Sequence, residues 1–100
     1  MTPNAIRLDL IGPRELEADL TDWLTELMPE APLLLTTVRG HNDASRPLTL
    51  AEQVEGTLPL IRLSLTTDET TAGQVLAKLA IDYAGSRIRW SLWPVETGWV

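Results

Sequence analysis

Leu60-Ile61-Arg62-Leu63-Ser64-Leu65-Thr66 sets Ile61, Leu63 and Leu65 on one side and Arg62, Ser64 and Thr66 on the other. A period of two is that of a half-buried β-strand, with one face on a core. The period then changes. Ala72, Leu76, Leu79, Ala80 and Tyr83 fall on one helical face, and Gly85 is placed to stop that helix. Past the glycine, Arg87 to Trp93 alternates again, with Ile88, Trp90 and Leu92 predicted inward and Pro94 predicted to end the strand. The second half of the chain therefore reads strand, helix, strand.

The first half repeats that order. Ile6, Leu8 and Leu10 alternate with Arg7 and Asp9, which predicts a strand over Ala5 to Ile11. Gly12-Pro13 is expected to break it, with Pro13 in the first turn of a helix, where a missing N–H is harmless. Leu16, Leu20, Trp23, Leu24, Leu27 and Met28 form one helical stripe, and Pro29 and Pro32 end it. Leu33 to Arg39 suits a strand, closed by Gly40, and His41 to Pro47 is a polar loop. Thr49-Leu50-Ala51-Glu52 has the spacing of a capping box and predicts a short helical turn ending before Gly56.

Strand, helix, strand, strand, helix, strand is the order of the ferredoxin-like βαββαβ sandwich, an α+β fold. The expected sheet is antiparallel with both helices on one face. Leu34, Val38 and Trp93 are out of phase with the inward sets and are predicted on the other, open face. An apolar exposed face on a small domain marks an interface.

Residues 1–100 read as a single domain, without linker, repeat or low-complexity tract. Apolar residues make up 44% and charged residues 22%, the composition of a packed globular chain. There is no cysteine, which excludes disulfides and thiolate metal sites. The net charge of −6 argues against a phosphate-backbone binder, so no nucleic-acid partner is expected. The central strands also lack the aromatic residues of an RNA-recognition sheet. No apolar run approaches the ~20 residues of a membrane span, and the N-terminus is not that of a signal peptide. A cytoplasmic protein, not embedded in membrane, is the expectation.

His41 is the sole histidine and has no second ligand at metal-binding spacing, so no metal site is predicted. Six acids against one base between Arg14 and Glu30 read as a solvated helix face. No carboxylate pair stands out for acid–base work. Phosphate-cradling glycine motifs and a GxSxG elbow are both missing. The positive charge is more specific, since seven of the eight bases are arginines, whose planar forks suit phosphates and carboxylates. Arg39 and Arg62 are expected at one end of the sheet, on either side of the loop that carries Arg46. Arg87 is expected at the opposite end of the same protomer.

Several segments carry a family likeness. Thr36-Thr37-Val38-Arg39-Gly40 resembles the T-E-V-K-G that precedes the long mobile loop of the PII-like signalling superfamily. Ala51-Glu52-Gln53-Val54-Glu55-Gly56-Thr57-Leu58-Pro59-Leu60-Ile61-Arg62-Leu63 is similar to the superfamily's A-E-Y-x-V-x-x-L-P-K-V-K-x. Ser86-Arg87-Ile88, followed by Pro94-Val95-Glu96-Thr97-Gly98, resembles G-K-I-F followed by a basic R-T-G turn. The family's phosphate turn is reduced here to Ala84-Gly85-Ser86-Arg87, and Glu96 stands where the R-T-G turn has a cation. The loop is short and has no tyrosine. The chain looks closest to a compact branch of unassigned function, commonly encoded beside heavy-metal efflux transporters.

The resemblance implies a homotrimeric regulatory protein, not an enzyme. It would hold a small anion, a nucleotide for example, in clefts between subunits, through Arg39, Gly40, Arg62 and Arg87. It would present the 41–58 loop, with His41, Asn42, Asp43 and Arg46, to a transporter or an enzyme. The 41–47 stretch has no apolar anchor and is expected to be mobile without ligand. Two alternatives stand beside this reading. One is a ligand-free oligomeric interaction module linked to metal tolerance. The other is an acylphosphatase-like enzyme, for which Ile11-Gly12-Pro13-Arg14-Glu15 supplies a single arginine and no glycine cradle.

Overall fold

The computed structural model describes residues 3–41 and 49–100. Strand β1 is Ala5–Pro13. A 3₁₀ turn, Arg14–Leu16, leads into helix α1, Glu17–Leu27. Strand β2 is Leu34–Gly40, helix α2 is Leu50–Glu55, and strand β3 is Leu58–Thr67. Helix α3 is Glu69–Asp82 and strand β4 is Arg89–Val95. The sheet order is β2-β3-β1-β4, with every neighbouring pair antiparallel. That is the expected ferredoxin-like arrangement.

The inward sets meet on one face. Leu8 and Leu10 of β1 join Ile61, Leu63 and Leu65 of β3, and α1 and α3 cover them with Leu20, Leu24, Val75 and Leu79. Each fully buried leucine contributes about 1.5–3 kcal/mol relative to an exposed one. The predicted helical stripes hold, with Val75 added and Ala80 left exposed.

Both short-range caps are formed. Glu52 N–H donates to Thr49 Oγ1 at 3.2 Å, and Thr49 N–H donates to Glu52 Oε1 at 2.9 Å. Gly56 then ends α2 at φ +74°, a backbone angle open to glycine at little cost. At α3, Asp68 accepts from Thr71 N–H at 2.7 Å and from Thr71 Oγ1 at 2.8 Å, which holds its carboxyl below the usual range.

Four expectations are corrected. Gly12-Pro13 does not break β1, whose ladder to β3 runs on through Gly12↔Ile61 and Pro13↔Leu60. Gly12 is needed for a close approach, since a Cβ there would lie 3.2 Å from Ile88 Cγ1. The last strand runs from Arg89 to Val95, not from Arg87 to Trp93, and Pro94 lies inside it opposite Ile6. An edge strand can accept a proline, because one side of it has no partner. Gly85 lies in the turn after α3, with Tyr83 as the helix cap. Finally, Trp90 and Leu92 have the inward phase, opposite Leu10 and Leu8, yet remain 54% and 38% exposed. They sit on an edge strand, where Trp90 borders a hollow shared with Leu76, Leu79 and Ala80 of α3, while Ile88 packs against the core.

Candidate functional site

Register decides where each arginine points, because antiparallel partners share a face and successive residues alternate. One transverse row of the open face is Leu34–Ser64–Asp9–Ser91, and the next is Thr36–Arg62–Ile11–Arg89. Val38 pairs with Leu60 and Trp93 with Arg7, so Leu34, Val38 and Trp93 occupy the open face as their phase predicted. Leu34 and Trp93 are exposed on it, and Leu60 is buried.

The open face is not uniformly apolar. Asp9 and Ser64 are both buried, and Ser64 Oγ donates to Asp9 Oδ1 at 2.6 Å. Arg7 Nε lies 3.7 Å from the same carboxylate oxygen. Beside them Arg62 is half-buried, with its Nε lacking a hydrogen-bond partner. A buried donor without an acceptor is costly, and native structures keep few of them.

Arg39 pairs with Pro59, three register positions from the Thr36↔Arg62 pair. Arg39 and Arg62 therefore point to opposite faces. Nor does Arg62 mark the end of the sheet, because β3 begins at Leu58 and places it mid-strand. The sequence expectation of one shared end is corrected by the mid-strand place of Arg62, and the opposite facing of the two separates them further. Arg87 is corrected in the other direction. β1 is central and antiparallel to both β3 and β4, so β3 and β4 start at the same end, where β2 finishes. Arg87, two residues before β4, is thus at the Arg39–Gly40 end and not opposite it. Arg87 has φ +58°, the left-handed region that a side chain rarely adopts. It borders a hollow of about 380 Å³ shared with Tyr83, Ile88 and Trp90.

At the same end of the sheet is a cleft of about 250 Å³ lined by Arg14, Thr37, Val38, Arg39, Pro59 and Leu60. Arg14 enters it because β1 ends beside β3 at Pro13↔Leu60, and the next residue continues past the strand. Sequence reasoning noticed Arg14 only as a residue following the first strand. Its proximity to Arg39 arises from pairings that have no local signal.

His41 is exposed just beyond β2. Asn42, Asp43 and Arg46, together with the loop expected to be mobile, lie outside the described residues. The remainder of the 41–58 segment includes α2. At the C-terminus, Asn4 clamps Thr97 by two hydrogen bonds, Nδ2 to the carbonyl at 3.2 Å and Oδ1 from the N–H at 3.1 Å. Thr97, Gly98 and Trp99 then border a cleft of about 360 Å³ that includes Arg7, Leu34 and Ser64.

No curated protein matches the chain. Several solved structures share its fold. CPII, a nitrogen regulatory PII-like protein from Thiomonas intermedia K12 bound to ADP, AMP and bicarbonate, superposes with a TM-score of 0.72 at 13% identity, covering 99% of each chain. A protein from Thermus thermophilus, described as a PII-like signalling protein, gives 0.66 at 21% identity, over 95% of this chain and 90% of that one. A DUF3240 protein from Shewanella baltica OS155 gives 0.74 at 18% identity, over 100% of this chain and 98% of that one. The fold is that of PII-like proteins. Residues 2–99 match the family described as "Protein of unknown function (DUF3240)", and the chain belongs to that family.

Proposed function

We propose that this protein is a PII-like regulator and not an enzyme. It assembles as a homotrimer and holds a small anion, foremost an adenine nucleotide, in clefts between subunits. The observation that carries this reading is that Arg39, Gly40 and Arg87 lie at one end of the sheet, on its two opposite edges. Three strand spacings, about 14 Å, separate those edges, which is too far for one small anion to bridge inside a protomer. Assembly that sets the β4 edge of one copy against the β2 edge of the next would close that gap. The exposed Leu34 and Trp93 on the open face, and the unpaired Arg62 Nε among them, favour a covering copy that supplies an acceptor.

The likeness to CPII, whose complex contains ADP, AMP and bicarbonate, supports those ligands as the first to try. The site that remains is Arg39 and Gly40 of one subunit with Arg87 of the next, while Arg62, expected with them from the sequence, faces the opposite side of the sheet; the 41–58 segment is the surface offered to a partner. A transporter is the partner class favoured by the resemblance to the branch encoded beside heavy-metal efflux systems, and the cytoplasm is the matching location. No helix among the described residues is long and apolar enough to cross a membrane.

The test joins sedimentation with thermal shift against ADP, AMP, ATP, bicarbonate and divalent metals. A ligand at 100 times its Kd stabilises the folded state by about 2.7 kcal/mol. A trimer stabilised by a nucleotide is expected. A monomer at micromolar concentration, stabilised by none of these ligands, would refute the reading. Hydrolysis of acetyl phosphate dependent on Arg14 would favour the acylphosphatase-like alternative instead.

A further inference from the structure

The cleft at the end of β1, β2 and β3 is chemically lopsided. Its polar side-chain groups are the guanidiniums of Arg14 and Arg39 and the hydroxyl of Thr37. Val38, Pro59 and Leu60 complete the lining and bring no polar side-chain group, and Pro59 has no N–H either. None of the lining residues is acidic, in a chain that carries 14 acids against 8 bases. Neither arginine forms an ion pair with a described residue.

The backbone makes this juxtaposition firm. Arg39 stands opposite Pro59 on β3, and Pro13 stands opposite Leu60, so Arg14 and Arg39 leave the sheet on the two sides of β3. Their α-carbons are thus separated by about two strand spacings, roughly 10 Å, a span that two arginine side chains can close from either side. Two like charges facing one cleft repel each other, and an anion between them turns that repulsion into attraction on both sides. Guanidinium forks bind phosphoryl oxygens in pairs, with a geometry that lysine cannot copy.

We infer that Arg14 and Arg39, with the Thr37 hydroxyl, form a subsite for a phosphoryl group. Arg14 belongs to the anion-binding apparatus of this protein. The subsite is contained within one protomer, so it operates whether or not subunits associate. It deepens the nucleotide reading by naming the residues that would hold a phosphate, and depends on that reading only for what the phosphate is attached to.

The test is calorimetric titration of pyrophosphate, ADP and adenosine into the full chain and into Arg14→Ala, Arg14→Lys, Arg39→Ala and Lys78→Ala proteins. Arg14 and Arg39 are exposed, so their truncation opens no cavity, and circular dichroism and sedimentation verify that each variant retains the parent fold and mass. The expected result is binding of pyrophosphate and ADP, each weakened at least tenfold by Arg14→Ala and by Arg39→Ala. Arg14→Lys should recover only part of that loss. Lys78→Ala, which removes the same charge from α3, should leave binding unchanged, and adenosine should be indifferent to every substitution. If ADP binds the parent and Arg14→Ala equally, the subsite is refuted while the nucleotide reading survives. If pyrophosphate binding depends on Arg14 but ADP does not bind, the subsite stands and the nucleotide reading falls. If neither anion binds, both fall.

Discussion

The indole N–H of Trp23 donates to Asp82 Oδ2 at 2.8 Å, tying the middle of α1 to the last residue of α3 across 59 residues of chain. The same indole meets Tyr83 edge-on, with ring centroids 5.5 Å apart at 82°. Lys78 Nζ lies 3.3 Å from the same Asp82 oxygen. The indole bond is the main reason the Asp82 carboxyl is held below its ordinary range, with Lys78 adding to it. This contact is the one place where a side-chain hydrogen bond couples the two covering helices among the described residues.

Trp23→Phe keeps a ring at this position and removes the donor. Because the folded-state carboxyl of Asp82 is depressed, its contribution to stability is present above the unfolded value of 3.8. It is lost as pH falls through the lower folded value. The variant should therefore melt below the parent at pH 7, and the gap should narrow below about pH 3.8. The pH dependence of the gap, followed by thermal melts from pH 2.5 to 7, isolates the carboxyl from the packing loss. A gap independent of pH would assign the effect to packing alone.

Ser64→Ala should destabilise the protein by about 1–3 kcal/mol, since it leaves the buried Asp9 carboxylate without the donor at 2.6 Å. Asp9→Asn retains an acceptor for the serine and should cost less. Urea unfolding midpoints order the two, and a Ser64→Ala midpoint equal to the parent's would show that Asp9 does not depend on this hydroxyl.

Gly12→Ala places a methyl 3.2 Å from Ile88 Cγ1, at a position where Ile88 packs on the core. Overpacking of this kind costs about 1–3 kcal/mol. Ile88→Ala removes the Cγ1 that the new methyl meets and should relieve the clash, so the double variant should be more stable than the sum of the singles. Strict additivity in a double-mutant cycle would disprove the contact.

Trp93→Glu and Leu34→Asp each put a charge on an exposed apolar site of the open face. If a second copy covers that face, either change should shift the sedimenting species from trimer to monomer at micromolar concentration with little loss of secondary structure. A parent-like mass for both variants would locate the interface elsewhere.

Part of this molecule is written in spacings of a few residues. The alternation of Ile61, Leu63 and Leu65, the stripe from Leu20 to Leu24, and the Thr49–Glu52 box each act within a turn or along one strand. Each of these patterns shows which residues share a face, or cap a helix, without reference to distant segments, which is why element order and fold class could be read directly. The open-face phase of Leu34, Val38 and Trp93 came from the same arithmetic.

The arginines were legible as residue types and not as a geometry. Whether Arg39 and Arg62 face the same way depends on the β2–β3 register and on β3 beginning at Leu58, two residues before its alternation becomes apparent. That Arg87 reaches the Arg39 end follows from β1 being central and antiparallel to both of its neighbours. Trp90 has a core phase but stays 54% exposed, because β4 is an edge strand and Trp90 borders an open hollow beside α3. Periodicity reports which side of its own strand a residue occupies. Which strand lies alongside, in what register, and how far the helices extend over it are set by long-range packing, and those decided that Arg14 and Arg39 share a cleft.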